Sequence, residues 1–140
     1  MSLWFLDSSV LLAAEDTDDE NYGDACRLLG GSDPLASLDL AFYEVTNVAV
    51  RAWRDPSAAH RLRERVAAVA GDGGLVRADA ELISDSAALA DEHGISVYDA
   101  AYVVAARLAG GELVSCDRRD LVARGLARLP RDVGVNRPSP

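Results

Sequence analysis

Short apolar runs alternate along this chain with longer segments in which apolar residues recur at helical spacing. The short runs predict strands, which lie at 3–6, 34–38, 75–77, 112–116 and 132–135. The longer segments predict helices, which lie at 8–14, 22–29, 40–54, 57–71, 79–93, 97–108 and 117–124. Strands and helices that alternate in this way imply a parallel sheet covered by helices on both faces. No linker or repeat divides the sequence, so we expect one α/β domain over residues 1–140.

Polar residues at the segment ends predict how several helices begin and stop. Ser57 is the expected N-cap of the fourth helix, and the pair Asp55-Pro56 is the expected stop of the third. The acidic segment 15–20 lies between the first two helices and is interpreted as a solvated turn. Three arginines spread around the fourth helix are interpreted as solubilising surface residues: Arg61, Arg63 and Arg65.

The composition is typical of a globular protein without a membrane-spanning helix. Of the 140 residues, 49% are hydrophobic and 26% are charged. No apolar run approaches the roughly 20 residues that a spanning helix needs. The N-terminus has no basic leader or cleavage site, so we expect a cytoplasmic protein. Cys26 and Cys116 have no zinc-binding spacing and are interpreted as buried thiols.

The charge balance excludes several mechanisms. The net charge is −9, which argues against broad electrostatic attachment to nucleic acid but leaves local contacts open. All 14 basic residues are arginines. Because lysine is absent, a P-loop and Schiff-base chemistry are both excluded.

Two acidic residues directly follow predicted strands. They are Asp7 and Asp117, and a charge in such apolar sequence is costly unless a positive partner meets it. Ligands of open α/β sheets bind beyond the carboxyl ends of the strands, yet either acid is equally suited to cap the next helix. Ser115 points the same way as Asp117 if the strand extends that far. Asp120 either reaches the same crevice or lies on the helix surface.

Two further acids lie on predicted helices. Asp99 is in the first turn of a helix that is apolar nearly all round, where it either faces a ligand or completes a capping box with Ser96. Glu44 shares one helix face with Asn47 and Arg51, and this polar stripe faces either a site or only solvent.

Together these four acids predict one pocket. A parallel sheet places strand ends side by side, with the starts of core helices next to them. Converging carboxylates raise one another's pKa unless a cation bridges them. Mg²⁺ or Mn²⁺ suits an all-oxygen site, and such a site is typical of metal-dependent phosphate-ester chemistry.

Four segments resemble, in order and spacing, the motifs of a PIN domain, and specifically those of the VapC toxin ribonucleases of bacterial type II toxin–antitoxin pairs. The segments are Leu6-Asp7-Ser8-Ser9-Val10-Leu11-Leu12, Glu44-Val45-Thr46-Asn47-Val48 with Arg51, Val97-Tyr98-Asp99-Ala100-Ala101-Tyr102-Val103-Val104-Ala105, and Val114-Ser115-Cys116-Asp117-Arg118-Arg119-Asp120-Leu121. The resemblance runs from about residue 3 to residue 135. Ser115 stands where the family often has Thr, which keeps the hydroxyl group.

This resemblance implies a three-layer α/β/α fold with a short, mostly parallel sheet, and an endoribonuclease that uses Mg²⁺ or Mn²⁺. It implies that four acids form the metal-binding pocket: Asp7, Glu44, Asp99 and Asp117. Asp7 and Asp99 are the first candidates for direct ligands. The resemblance also implies a homodimer and a cognate VapB-like antitoxin whose C-terminal segment blocks the pocket, often with a basic residue in place of the metal's charge.

The mechanism that this resemblance implies is metal-assisted hydrolysis: the four acids would hold one or two ions that lower the pKa of a water molecule for in-line attack on the scissile phosphate, and Ser115 and Asn47 would position water or phosphate. Four arginines are candidates for holding the RNA backbone, although each is also explained as an ordinary surface residue: Arg51, Arg54, Arg118 and Arg119. Two other functions stay open. One is a PIN-like protein that binds RNA or a partner without cleaving, which the intact set of acids disfavours. The other is a DNA 5′ nuclease, a class that is typically larger.

Overall fold

The computed structural model describes residues 2–133 and is built around a small parallel sheet. Its four strands are β1 (Trp4–Leu6), β2 (Leu35–Leu38), β3 (Leu75–Val76) and β4 (Glu112–Val114). They are ordered β3-β2-β1-β4, and every pairing is parallel. The edge strand β4 pairs directly with the central strand β1, so the carboxyl ends of these two strands lie side by side.

Six α-helices cover the two faces of the sheet, and their bounds are α1 (Ser8–Ala13), α2 (Tyr22–Leu29), α3 (Leu40–Arg51), α4 (Pro56–Gly71), α5 (Ala80–His93) and α6 (Val97–Leu108). Side chains alternate across β1, because Trp4 and Leu6 join one core layer and Phe5 joins the other. The first layer packs α1 to α4, and the second packs α5 and α6. This is the predicted three-layer α/β/α fold, which the structure confirms.

The boundary between α3 and α4 differs from the prediction. α3 ends at Arg51, three residues before the expected end, and Arg54 adopts a left-handed backbone with φ of 51°. This turn lets Asp55, not Ser57, cap α4: the Asp55 carboxylate accepts hydrogen bonds from the amides of Ser57 (3.0 Å) and Ala58 (3.1 Å). The expected cap at Ser57 is wrong, because Pro56 occupies the first helical turn, where a proline fits without losing a bond.

The end of the chain also differs. β4 stops at Val114, and the expected helix over 117–124 is a turn of π-helix, Arg118–Val122. A last strand over 132–135 was expected, but Asp132 belongs to a 3₁₀ turn, Pro130–Asp132, and Val133 packs into the first core layer. Residues 134 and 135 lie outside the described residues. The edge of β4 is covered instead by a bridge between Val114 and Arg128.

The acidic segment 15–20 is more than a solvated turn. Glu15 is only 10% exposed and accepts hydrogen bonds from Arg61 (3.1 Å) and Arg65 (2.7 Å) of α4. Two of the arginines interpreted as solubilising are therefore structural partners. Among the described residues, no helix has the length and apolar character needed to cross a bilayer.

Candidate functional site

The site is assembled first by the pairing of β1 with β4. Leu6 lies opposite Val114 in this pair, and the Asp7 amide donates to the Val114 carbonyl at 3.3 Å. The residues that follow the two strands, Asp7 and Ser115, are therefore neighbours although they are far apart in sequence. Both are buried, with exposed fractions of 5% and 0%.

Asp7 acts as the N-cap of α1. Its Oδ1 accepts hydrogen bonds from the amides of Ser9 (3.1 Å) and Val10 (3.4 Å) and from the Ser9 hydroxyl. The sequence left open whether Asp7 caps a helix or belongs to a site. The structure shows that both hold: the carboxyl group caps α1 and also lies at the carboxyl ends of β1 and β4. The capping bonds therefore fix the orientation of an acid in the candidate site.

Ser9 links the two strand ends. Its hydroxyl accepts a hydrogen bond from the Cys116 amide at 2.9 Å and lies 3.4 Å from the Ser115 hydroxyl. The Ser115 hydroxyl in turn accepts from the Asp117 amide at 3.0 Å. Asp117 is thus oriented by a serine turn after the strand, since β4 does not extend far enough for strand alternation to orient it. Sequence reasoning did not single out Ser9, although it belongs to the first motif.

Three carboxylates converge beside this turn. Asp99, Asp117 and Asp120 each offer an oxygen, and these oxygens all lie within 4.8 Å of one another. Asp117 caps the π-helical turn by accepting from the Asp120 amide at 3.0 Å, which fixes the two acids together. Asp120, whose position the sequence left open, therefore lies in the crevice.

Asp99 is only half of a capping box. Its amide donates to the Ser96 hydroxyl at 3.0 Å, as that box requires. Within residues 2–133, however, its carboxylate does not take the return bond from the Ser96 amide. The carboxylate lies with Asp117 and Asp120, and the Ser96 hydroxyl acts to lower its pKa against the effect of burial.

Glu44 approaches the same region from α3 but lies outside this group of three, as does Asp7. Its Oε1 accepts a hydrogen bond of 2.6 Å from the hydroxyl of Tyr102 on α6. Sequence reasoning treated Tyr102 as part of an apolar helix. The available signal was its phenol group, because a buried tyrosine hydroxyl usually has a polar partner.

The predicted polar stripe on α3 is divided in the structure. Asn47 and Arg51 are exposed and line a shallow hollow of about 450 Å³ together with apolar residues such as Tyr43 and Val50, whereas Glu44 is half-buried beside Tyr102. The hollow thus lies on the solvent-facing side of α3, and Asn47 and Arg51 do not face the same way as the Glu44 carboxylate.

The remaining basic candidates are exposed. Arg118 is half-exposed and lies 3.6 Å from the Glu20 carboxylate, which comes from the acidic segment 15–20. Arg119 and Arg54 are also exposed. Arg118 therefore directly follows Asp117 in sequence, is accessible to solvent and has one weak acidic partner.

The electrostatics of the pocket are those of uncompensated negative charge. Burial raises the pKa of Asp7 to about 6, against the lowering effect of the Ser115 and Ser9 hydroxyls, and the charge of Asp99 adds to the rise. Burial likewise raises the pKa of Asp99, followed by the charge of Asp117. Within the described part of the chain, the ion pairs involve none of the pocket acids.

Two neighbours of these acids stay protonated. Burial, followed by the charge of Glu44, raises the pKa of Tyr102 well above its ordinary value, so its phenol remains a donor. Burial also raises the pKa of the Cys116 thiol to about 12, with the charge of Asp7 next. Cys116 is therefore an inert thiol at neutral pH.

Comparison with known proteins assigns the family. Residues 4–125 match the PIN domain family. Ribonuclease VapC3 of Pyrobaculum aerophilum is 35% identical over 116 residues, which cover 77% of this chain and 85% of that protein. The chain belongs to the PIN domain family. The resemblance that the four motifs carried is thereby confirmed, including its VapC type.

Solved structures agree with the PIN fold. Mycobacterium tuberculosis VapC20, described as a sarcin-ricin loop cleaving toxin, matches with a TM-score of 0.66 at 22% identity, over 87% of this chain and 95% of its own. A toxin–antitoxin complex from Klebsiella pneumoniae matches with a TM-score of 0.68 at 17% identity, over 93% of this chain and 98% of its own. At these identities the two structures speak for the fold alone.

The pocket of this PIN domain fits a hard divalent cation. Its donors are all oxygens, and three of them lie within 4.8 Å of one another. Within residues 2–133 no basic side chain forms an ion pair with these acids, so the protein itself does not neutralise the charge gathered there. A bound cation would supply that compensation.

Proposed function

We propose that this chain is a VapC-type toxin: an endoribonuclease that depends on Mg²⁺ or Mn²⁺ and is inhibited by a cognate VapB-like antitoxin. The observation that carries the proposal is the convergence of Asp99, Asp117 and Asp120 beside the buried Asp7, with no basic side chain of the described residues paired to them. The name of the Pyrobaculum relative, a ribonuclease, supports RNA as the substrate.

The proposed catalytic centre consists of Asp7, Glu44, Asp99, Asp117 and Ser115. Asp120, which lies with Asp99 and Asp117, extends it. The four acids would hold the ion, with Asp7 and Asp99 as the first candidates for direct ligands. When bound, the ion supplies Lewis-acid chemistry, in that it activates a water molecule and offsets charge on the scissile phosphate.

The chain's own side chains prepare this site before any ion binds. Asp7 is held by two amides of α1, and the Ser115 hydroxyl fixes the Asp117 amide at 3.0 Å. Both strand ends are thereby locked relative to each other through Ser9. Such fixed oxygens lose little conformational freedom when a ligand binds, so the site is preorganised.

Substrate contacts are proposed at the rim. Arg118 stands beside Asp117, and its exposed guanidinium is suited to a backbone phosphate. Asn47 and Arg51 lie one and two helical turns beyond Glu44 on α3 and would contact the RNA further along. A few local arginines suffice for this, which agrees with a chain whose net charge is −9.

The proposed partners are the antitoxin and a second copy of the chain, and the proposed setting is the cytoplasm, with residues 1–140 as a single PIN domain. The Klebsiella structure, a toxin–antitoxin complex with the same fold, supports an antitoxin. Tyr43 and Val50, which are 78% and 51% exposed on α3, offer apolar surface of the kind that protein interfaces cover.

The test is cleavage of a structured RNA by the purified protein with Mg²⁺ or Mn²⁺ and with EDTA. We expect cleavage only with the metal, and a loss of at least about 100-fold in Asp7→Ala and Asp99→Ala. Asp91→Ala, an exposed acid on α5, is the matched control and should keep its activity. Equal activity in the pocket variants would refute the assignment, and antitoxin binding without any cleavage would favour a non-catalytic PIN-like protein.

A further inference from the structure

Tyr102 is an exception in the most thoroughly buried helix of the protein. Every residue from Ala100 to Ala106 on α6 is buried, and Tyr102 is only 2% exposed. The other members of this run are alanines and valines. A phenol hydroxyl in such a setting is costly unless it is hydrogen-bonded, so its partner explains its presence better than the packing of its ring does.

That partner is Glu44. The Tyr102 hydroxyl donates to Glu44 Oε1 at 2.6 Å, across 58 positions of sequence and between α6 and α3. A donor to a carboxylate forms a stronger hydrogen bond than a neutral pair does. The contact leaves Oε2, the second oxygen of Glu44, outside this bond.

Two of the other pocket acids are held by backbone amides close to them in sequence. Asp7 is held by Ser9 and Val10, and Asp117 is held by Asp120. Glu44 has no such local anchor, because it lies within a helix where the backbone amides are already bonded. Within residues 2–133, the bond from Tyr102 is the single hydrogen bond to its carboxylate.

A glutamate side chain has three rotatable bonds and is half-exposed here, so without an anchor it would spend its time in several orientations. Its charge is near enough to the pocket to contribute to the raised pKa of Asp99. We infer that Tyr102 is a positioning residue that directs the Glu44 carboxylate toward the metal pocket, and this inference rests on the proposed function. Tyr102 acts through Glu44 and has no contact of its own with the ion.

The test is a double-mutant cycle read by Mn²⁺ affinity without RNA. The variants are Tyr102→Phe, Glu44→Ala and their combination, with Tyr98→Phe as the matched control, since it removes a hydroxyl from an exposed position of the same helix. We expect Tyr102→Phe to weaken Mn²⁺ binding about 10-fold, as loss of an outer partner of a ligand commonly does. In the Glu44→Ala background the same change should alter the dissociation constant less than about 2-fold, because no carboxylate remains to be directed. Tyr98→Phe should bind as the wild type does.

RNA cleavage gives an independent readout. Tyr102→Phe should lower kcat with KM nearly unchanged, because the tyrosine is not proposed to touch RNA. The inference is overturned if Tyr102→Phe binds Mn²⁺ like the wild type, or if it loses the same factor with and without Glu44, as a merely structural role would predict. If the wild type itself binds no Mn²⁺, the proposed function fails as well. Wild-type binding that is lost in Asp99→Asn but kept in Tyr102→Phe would refute only the role of Tyr102.

Discussion

Acidic residues of two kinds are removed from solvent in this molecule: Glu15, which is paired with arginines and has a lowered pKa, and the pocket acids, two of which have raised pKa values. Glu15 is 10% exposed, but Arg61 and Arg65 lie at 3.1 Å and 2.7 Å from its carboxylate. Burial acts to raise its pKa, yet the hydrogen bonds and charges of these arginines prevail and hold it below its ordinary value. Asp7 and Asp99 are also buried or half-buried, and their pKa values are raised.

The two kinds of acid differ in whether the protein itself supplies a positive charge beside them. Glu15 is compensated by the protein, so it stabilises the packing of α4 against the loop after α1. The pocket acids are anchored by amides and hydroxyls, which orient a carboxylate without neutralising its neighbours. An acid that the fold pairs is structural, and a group of acids that the fold gathers and leaves unpaired indicates a site for an external cation.

Activity should separate the two sets most strongly. Asp99→Asn keeps the shape of the pocket but removes one charge, and we expect RNA cleavage to fall at least about 100-fold. Glu15→Gln, the matched change in the paired set, should cleave RNA at the wild-type rate. Initial rates with excess Mn²⁺ measure both, and a comparable loss in the two variants would remove the distinction.

The pH dependence of stability should separate them next. In the metal-free protein the pKa of Asp7 is about 6, against an ordinary value of 3.8. Between pH 4 and pH 6 the unfolded chain releases this proton while the folded protein retains it, so rising pH lowers stability, by about 3 kcal/mol in total.

Asp7→Asn keeps a capping side chain and removes this proton. Urea unfolding in EDTA at pH 4.5, 5.5 and 7 should therefore show the variant gaining on the wild type as the pH rises. If the free energies of unfolding of the two proteins differ by the same amount at all three pH values, burial does not raise the pKa of Asp7.

At neutral pH, neutralising the paired acid should lower stability, whereas neutralising Asp7 should not. Glu15→Gln removes the negative charge and one of the two oxygens that accept from Arg61 and Arg65, and we expect a loss of about 1 kcal/mol, since both arginines are partly solvated. Arg63→Gln, on the exposed side of α4, is the control and should be neutral within about 0.5 kcal/mol. Denaturant midpoints report both, and an unchanged midpoint in Glu15→Gln would make this pairing irrelevant to folding.

The smallest effect is expected at the exposed pair formed by Arg118 and Glu20 of the acidic segment 15–20. The two side chains lie 3.6 Å apart, and both are largely exposed. Glu20→Gln should raise affinity for a non-cleaved RNA about 2-fold by freeing Arg118, whereas Arg118→Ala should lower it a few-fold. Both shifts should shrink at high salt, and affinity that is insensitive to both changes would exclude Arg118 from the RNA contact.

Much of the fold follows from local sequence. Helices α2 and α6 have the bounds that periodicity predicts, because apolar spacing and terminal glycines act over a few residues. The N-cap of α4 was misassigned, since both Asp55 and Ser57 are good caps and the choice depends on the left-handed turn at Arg54. Local patterns do not determine such a turn.

The pocket was only partly predictable for a similar reason. Asp7 and Asp117 stand at strand ends, which a parallel pattern makes recognisable. Asp120 joins them because its amide donates to the Asp117 carboxylate at the start of the turn after β4, and the sequence left open whether this acid faces the crevice or the helix surface. The contacts of Glu15 with α4 and of Tyr102 with Glu44 join residues more than 40 positions apart, so they are products of tertiary packing.

Direct titration of the metal-free protein with Mn²⁺ tests the central claim, that the gathered acids form a cation site because the fold leaves them unpaired. We predict saturable binding by the wild type and by Glu15→Gln with the same dissociation constant, and binding weakened at least about 10-fold in both Asp99→Asn and Asp117→Asn. Equal Mn²⁺ affinity in all four proteins, or no binding by the wild type, would contradict the account.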